Sequence, residues 1–186
     1  MDCKITYASP LGDMLLTADD KGLTGAWFVG QKYFATRSCD AHEISLAEIC
    51  DASENSRVDS AFILARVKQW LDQYFAGIEP IEQVPLHLIG TDFQQEVWSI
   101  LLSIPYGQTS TYGDIAKQIA DKRGIARMSA QAVGGAVGHN PISIIVPCHR
   151  VLGSDGSLTG YAGGIERKIS LLSLEGIDVA ALPNAK

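Results

Sequence analysis

Over the first thirty residues, apolar and polar positions change places over short distances. Lys4–Ala8, Met14–Ala18 and Leu23–Val29 are β-compatible runs, separated by the turn sequences Pro10-Leu11-Gly12 and Asp19-Asp20-Lys21-Gly22. They predict three short strands. Residues 37–57 are polar and carry few pattern cues. From Val58 to Phe75 the period lengthens: Phe62, Ala65, Val67, Trp70, Leu71, Tyr74 and Phe75 largely recur at three-to-four spacing. That spacing predicts a helix with one apolar face, stopped at Gly77. Ile78–Leu88 contains two prolines and reads as an extended link. A domain boundary follows there, dividing the chain into residues 1–88 and 89–186.

The second half is patterned for helices. Thr91 or Asp92 can cap a helix containing Phe93, Val97, Trp98, Ile100, Leu101 and Leu102, which ends by Pro105-Tyr106-Gly107. Thr111-Tyr112-Gly113-Asp114 resembles a capping box with Asp in place of the usual Glu, opening a helix through Ile115, Ala116 and Ile119. After the polar turn Asp121-Lys122-Arg123-Gly124, Ser129 caps a second helix, Ala130–Val137, which Gly138-His139-Asn140-Pro141 stops. Helix, short basic turn, second helix is helix-turn-helix geometry, although many helical hairpins share it. The second helix is lined with Ala and Gly, at a cost of about 1 kcal/mol per Gly against Ala. Small residues admit a close approach, either of DNA or of a neighbouring helix.

Charge sharpens this picture. The chain is acidic overall, at −6, which argues against a general polyanion binder. The acidity lies in residues 1–90, with 7 Lys+Arg against 13 Asp+Glu, whereas residues 91–186 hold 8 of each. Within residues 112–150, Lys117, Lys122, Arg123, Arg127 and Arg150 face only Asp114 and Asp121, a local balance of +3. Such a stretch can meet phosphates while the rest of the chain repels them. No apolar run approaches the roughly 20 residues of a membrane helix, and the amino terminus has no basic-then-apolar signal. The expectation is a cytosolic protein. Its four cysteines, Cys3, Cys39, Cys50 and Cys148, read as free thiols.

The chemistry concentrates at one of them. Ile142–Val146 is a β-branched run between two prolines and reads as a buried strand. It delivers Pro147-Cys148-His149-Arg150-Val151. Positive neighbours lower a thiol's pKa from about 8.5 and raise its thiolate fraction, so Cys148 is a candidate nucleophile. Adjacent residues on an extended chain point to opposite sides, so passing a proton to His149 requires a bridging water or a local turn. A third group, a carboxylate, is expected to fix the imidazole tautomer.

Val146-Pro147-Cys148-His149-Arg150-Val151 resembles the active-site signature of the O6-alkylguanine-DNA alkyltransferases. Ala132-Val133-Gly134-Gly135-Ala136 and Asn140-Pro141 upstream fit the same family. So do Gly160-Tyr161-Ala162-Gly163-Gly164, Leu171-Leu172 and Glu175-Gly176 downstream, and Thr111-Tyr112-Gly113 at the start of the first helix of the pair. The likeness is close over about residues 91–178 and faint before, at Ser9-Pro10-Leu11-Gly12 and Gln73–Gly77. It implies a small RNase H-like α/β amino-terminal domain followed by a mostly helical domain with a minor-groove helix-turn-helix. It also implies base flipping and a single irreversible alkyl transfer to Cys148, without a cofactor or metal, from O6-alkylguanine in double-stranded DNA. O4-alkylthymine is left open as a second substrate, and the expected state is a monomer. By the same resemblance His149 takes the Cys148 proton through a water, Glu175 orients His149, and Tyr112 crowds the target phosphate and hydrogen-bonds the base. Asn140 ties the helix pair to the active-site segment. Arg123, Arg127, Ser129, Ala130, Gln131, Ala132 and Gly135 meet DNA. Cys148, Val151 and Ala162 read the guanine edge through their backbone, with Tyr161 in the base pocket.

Gln131 departs from the family, which usually carries an arginine there to fill the gap left by the flipped base. Glutamine can fill the space and hydrogen-bond the orphan cytosine, but without charge. Cys39, His42, Cys50 and His87 fit no common zinc spacing. Two rival functions predict different behaviour. A Cys-His hydrolase would turn over many times and need an oxyanion hole. A helix-turn-helix regulator would be indifferent to Cys148→Ala.

Overall fold

The alternation of the first thirty residues closes into a sheet. The computed structural model describes residues 2–35, 41–45 and 60–182. These separate into two units, Met1–Ile89 and Gly90–Lys186. In the first, β1 (Cys3–Ser9), β2 (Gly12–Ala18) and β3 (Leu23–Phe28) form an antiparallel meander. A two-residue β4 (His42–Glu43) adds to β1 in parallel, giving the order β3-β2-β1-β4. The polar sequence around β4 hid it. Helix α1 (Ser60–Phe75) lies against β1, β2 and β3 and buries Ile63, Leu64, Val67, Leu71 and Tyr74 on Ile5, Leu16 and Phe28. Val58 lies outside the described residues. Gly77 ends α1 as predicted: it adopts φ +76°, and the Ile78 N–H reaches back to the Gln73 carbonyl.

The link is more than a tether. Leu86 bridges Leu23, and the His87 ring pairs with Asp19, whose carboxylate also accepts the Lys21 and Gly22 amides. Among the described residues there is no group of three or more His, Cys, Asp or Glu able to hold a metal. Cys39 and Cys50 fall outside them.

In the second unit, α2 (Asp92–Leu102) is capped by Thr91, and Gln94 completes a capping box. Helix α3 (Tyr112–Arg123) carries the Thr111/Asp114 capping box read from the sequence and ends on Gly124 at φ +64°. Ser129 caps α4 (Ala130–Gly138) by accepting the Ala132 N–H. Val133, Ala136 and Val137 bury one side of α4, which packs on both α2 and α3, and the Trp98 indole N–H donates to the Ala136 carbonyl at 2.9 Å. A parallel two-stranded pair follows, β5 (Ser110–Thr111) with β6 (Val151–Leu152), and then α5 (Ile165–Leu174).

The strand expected over Ile142–Val146 is absent. The segment is buried, as its composition implied, but it is a succession of turns with Ile144 at φ +71°. The reason is Asn140. Its side-chain oxygen accepts the Ile142 N–H at 3.0 Å, and its amide donates to the Ile142 and Val146 carbonyls at 3.1 and 2.8 Å. One side chain supplies the hydrogen bonds that a neighbouring strand would have supplied, so buried apolar residues need no ladder.

Candidate active site around Cys148

Cys148–Arg150 form a single 3-10 turn, and the Val151 N–H closes it on the Cys148 carbonyl. The turn satisfies the local condition anticipated for a Cys-His neighbour pair. Cys148 is 4% exposed and His149 is wholly buried. The Asn140 side-chain nitrogen lies 3.1 Å from the Cys148 sulfur. Burial pushes the Cys148 thiol up. The Asn140 hydrogen bond, the Lys168 charge and the backbone N–H groups of Cys148 and His149 pull the other way.

Behind the thiol, His149 Nε2 meets Glu175 Oε1 at 2.7 Å. Glu175 also accepts Arg150 Nε at 2.8 Å, Arg150 Nη2 at 3.0 Å and the Gly107 N–H at 3.2 Å. Arg150 Nη1 donates to the Ile104 carbonyl, so Arg150 ties the turn to the end of α2 and is structural. Glu175 is buried. Burial disfavours its charge, but the bonds from His149 and Arg150 overcome that and hold its carboxyl at about 2. Burial lowers the His149 pKa, and the pull of Glu175 does not reverse this. The neutral imidazole therefore donates from Nε2 to the carboxylate and keeps its lone pair on Nδ1, the form a base requires.

The β5–β6 pairing sets Ser110 opposite Val151 and Thr111 opposite Leu152, which brings the start of α3 beside the residues after Cys148. Tyr112, the first residue of α3, donates its hydroxyl to the carbonyls of Gly160 and Thr159 at 3.0 and 3.3 Å. Gly160 sits at φ +66°, and a Cβ there would stand 2.9 Å from the Tyr112 oxygen, so residue 160 must be glycine for this contact. Burial and then the Cys148 charge push the Tyr112 hydroxyl up to about 12, keeping it a proton donor at neutral pH. Tyr161 is buried near Cys148, and Ala162 is half-buried beside it.

The predicted DNA-facing residues divide. Ser129, Ala130, Gln131, Ala132 and Gly135 are exposed on α4, and Arg127 is exposed in the turn before it. A Cβ on Gly135 would meet nothing within 4 Å. Packing against a neighbouring helix therefore does not explain that glycine. Arg123 points elsewhere: its guanidinium holds Glu96 of α2 at 2.9 and 2.6 Å and lies over the Phe93 ring.

Lys168 went unremarked in the sequence. It is fully buried on α5, and its Nζ donates to the Val151 and Thr159 carbonyls at 2.5 and 2.9 Å. The signal was its spacing, three and four residues before the buried Leu171 and Leu172, on the apolar face.

Residues 92–177 match the DNA binding domain of 6-O-methylguanine DNA methyltransferase, and residues 3–88 match the ribonuclease-like domain of that same family. The chain is 45% identical to a methylated-DNA–protein-cysteine methyltransferase of Mycobacterium bovis, over 91% of this chain and 90% of the relative. It is 41% identical to that of Methanosarcina acetivorans, over 91% and 96%. Among solved structures, Mycobacterium tuberculosis OGT in complex with DNA superposes with a TM-score of 0.74 at 41% identity, covering 93% of this chain and 92% of that one. With both halves matched and the relatives covered nearly end to end, the chain belongs to the 6-O-methylguanine DNA methyltransferase family.

Proposed function

We propose that Cys148 is the alkyl acceptor in the DNA repair reaction of this family, and that each molecule acts once. The observation that carries the reading is the buried line from the Cys148 turn through His149 to Glu175, with Nε2 2.7 Å from the carboxylate. Glu175 fixes the tautomer, so the Nδ1 lone pair of His149 takes the thiol proton, through a bridging water. The sulfur attacks the alkyl carbon, the S–C bond forms, and the bond from that carbon to the guanine oxygen breaks. The electron pair stays on the guanine, where the Tyr112 hydroxyl, turned from the Gly160 and Thr159 carbonyls to the base, stabilises it by donation. The proton taken by His149 finally resides on the freed base. A thioether has no low-energy return path, so the protein is consumed.

The substrate in this reading is alkylated double-stranded DNA bound by a monomer. The exposed, nearly side-chain-free face of α4 enters the minor groove, and the lesion is flipped out because its 6-oxygen substituent cannot be reached within the stack. Gln131 occupies the vacated space. Arg127 supplies a phosphate contact, whereas Arg123 is engaged by Glu96 and contributes mainly to holding α3 on α2. Val151 and Ala162 border the base, with Tyr161 behind them.

Mass spectrometry after incubation with an O6-methylguanine oligonucleotide tests this. The expected product is one methyl group on Cys148 per protein, with no further turnover. Modification of another residue, repair that survives Cys148→Ala, or many turnovers per molecule would each defeat the reading.

A further inference from the structure

Lys168 stands out because a fully buried ammonium must be compensated, and its compensation is unusual. Among the described residues no carboxylate pairs with it. Its hydrogen-bond partners are two backbone carbonyls, Val151 at 2.5 Å and Thr159 at 2.9 Å. Val151 belongs to β6 and closes the Cys148 turn through its own N–H. Thr159 belongs to the glycine-rich loop and shares its carbonyl with the Tyr112 hydroxyl. One ammonium therefore joins α5, the strand after the thiol, and the loop that Tyr112 holds.

The remaining charges around the sulfur are accounted for. Glu175 is matched by Arg150 and His149. Arg167 donates to the Gly163 carbonyl and acts on Tyr161. The Tyr112 and Tyr161 hydroxyls are held neutral at physiological pH. The Cys148 sulfur is the ionisable group whose charge acts on Lys168. Burial draws the lysine down to about 8, and the Cys148 charge opposes that descent.

We propose that Lys168 is a positioning residue for the alkyl transfer: it braces Val151 and Thr159 around Cys148 and supplies a positive charge that favours the sulfur as it ionises. The part played in transfer rests on Cys148 being the acceptor. The pairing of ammonium with thiolate does not.

Two measurements on the full-length protein test it. The first is the rate of Cys148 carbamidomethylation by iodoacetamide as a function of pH, without DNA. The second is single-turnover methyl transfer from an O6-methylguanine oligonucleotide. Lys168→Met is expected to raise the thiol's titration midpoint by about one pH unit and to slow methyl transfer near pH 7 about tenfold. Lys168→Gln retains a donor without charge and should shift the midpoint equally, while Lys168→Arg should restore it. A folded Lys168→Met protein with an unchanged midpoint overturns the proposal, as does a Gln variant that behaves like wild type. If neither neutral variant folds, the wild type decides. By reciprocal linkage, neutralising the sulfur as a methyl disulfide should lower the titration midpoint of the Lys168 Nζ resonance, and an unmoved resonance overturns the pairing. Lysine-dependent thiol titration with no methyl transfer from DNA would instead overturn the acceptor reading alone.

Discussion

Glu175→Gln removes the one negative charge on which His149 and Arg150 converge. The substitution keeps the shape of the side chain but leaves the Arg150 guanidinium buried, at 10% side-chain exposure, without its counterion. In the folded protein the Glu175 carboxyl lies at about 2, against an ordinary 4.5. At about 1.4 kcal/mol per pH unit this difference is worth about 3 kcal/mol. Removing one partner of a buried ion pair independently costs about 3–5 kcal/mol. Because burial keeps His149 neutral, the ionic part of this stability comes from Arg150, and His149 adds a hydrogen bond. The folded value is depressed, so the contribution is complete above pH 4.5 and is lost as pH falls through about 2. Thermal unfolding should place Glu175→Gln about 12 °C or more below wild type near pH 7, at about 4–8 °C per kcal/mol for a domain of this size. The gap should shrink steadily as pH falls from 4.5 toward 2. Methyl transfer should slow by about 10²-fold or more, since the imidazole is no longer held in one tautomer. A loss below about 1 kcal/mol near pH 7, or a gap that does not change with pH, would refute the reasoning, because the first contradicts a buried ion pair and the second its titration.

Asn140→Ala should cost about 3 kcal/mol, since it orphans the buried Ile142 N–H and strips one donor from two carbonyls. Asn140→Asp keeps the Ile142 bond but sets a carboxylate beside the sulfur, so the Cys148 thiol should titrate higher than in wild type, as iodoacetamide kinetics would show. Gly135→Ala should raise stability by about 0.5–1 kcal/mol, because the position is helical with open space beside it. Gly135→Leu should fold equally well yet bind DNA weakly, and unimpaired binding in a fluorescence titration would take α4 out of the groove. Gln131→Arg should steepen the logarithmic salt dependence of DNA binding by about 0.9, with no change in the iodoacetamide reactivity of Cys148.

Much of this protein could be read from residues close together in the chain. A capping box spans four residues, so Thr111 and Asp114 announced the start of α3 before any fold was known. Gly77 marked the end of α1 for the same reason, whereas Asp121–Arg123, read as a turn, continue α3 up to Gly124. The alternation of β1 and β2 and the spacing of α1 follow from which side chains must leave water. The candidate nucleophile was legible because the run from Val146 to Val151 is contiguous.

What escaped depends on partners far along the chain. Glu175 lies 26 residues from His149; the family resemblance named it, but no local pattern did, and only α5 sets it buried on the imidazole. Ile142–Val146 had the composition of a strand, but strand formation needs a neighbouring ladder, and the Asn140 side chain took that place. Arg123 looked like a free cation in a basic turn until Glu96, 27 residues away, claimed it. Lys168 drew no notice until the fold set the Val151 and Thr159 carbonyls around its ammonium. Amino-acid order alone determines where local hydrogen bonds and apolar faces begin and end. Burial of charge is decided only when distant segments meet, because a group removed from water must find its compensation in whatever the fold brings beside it.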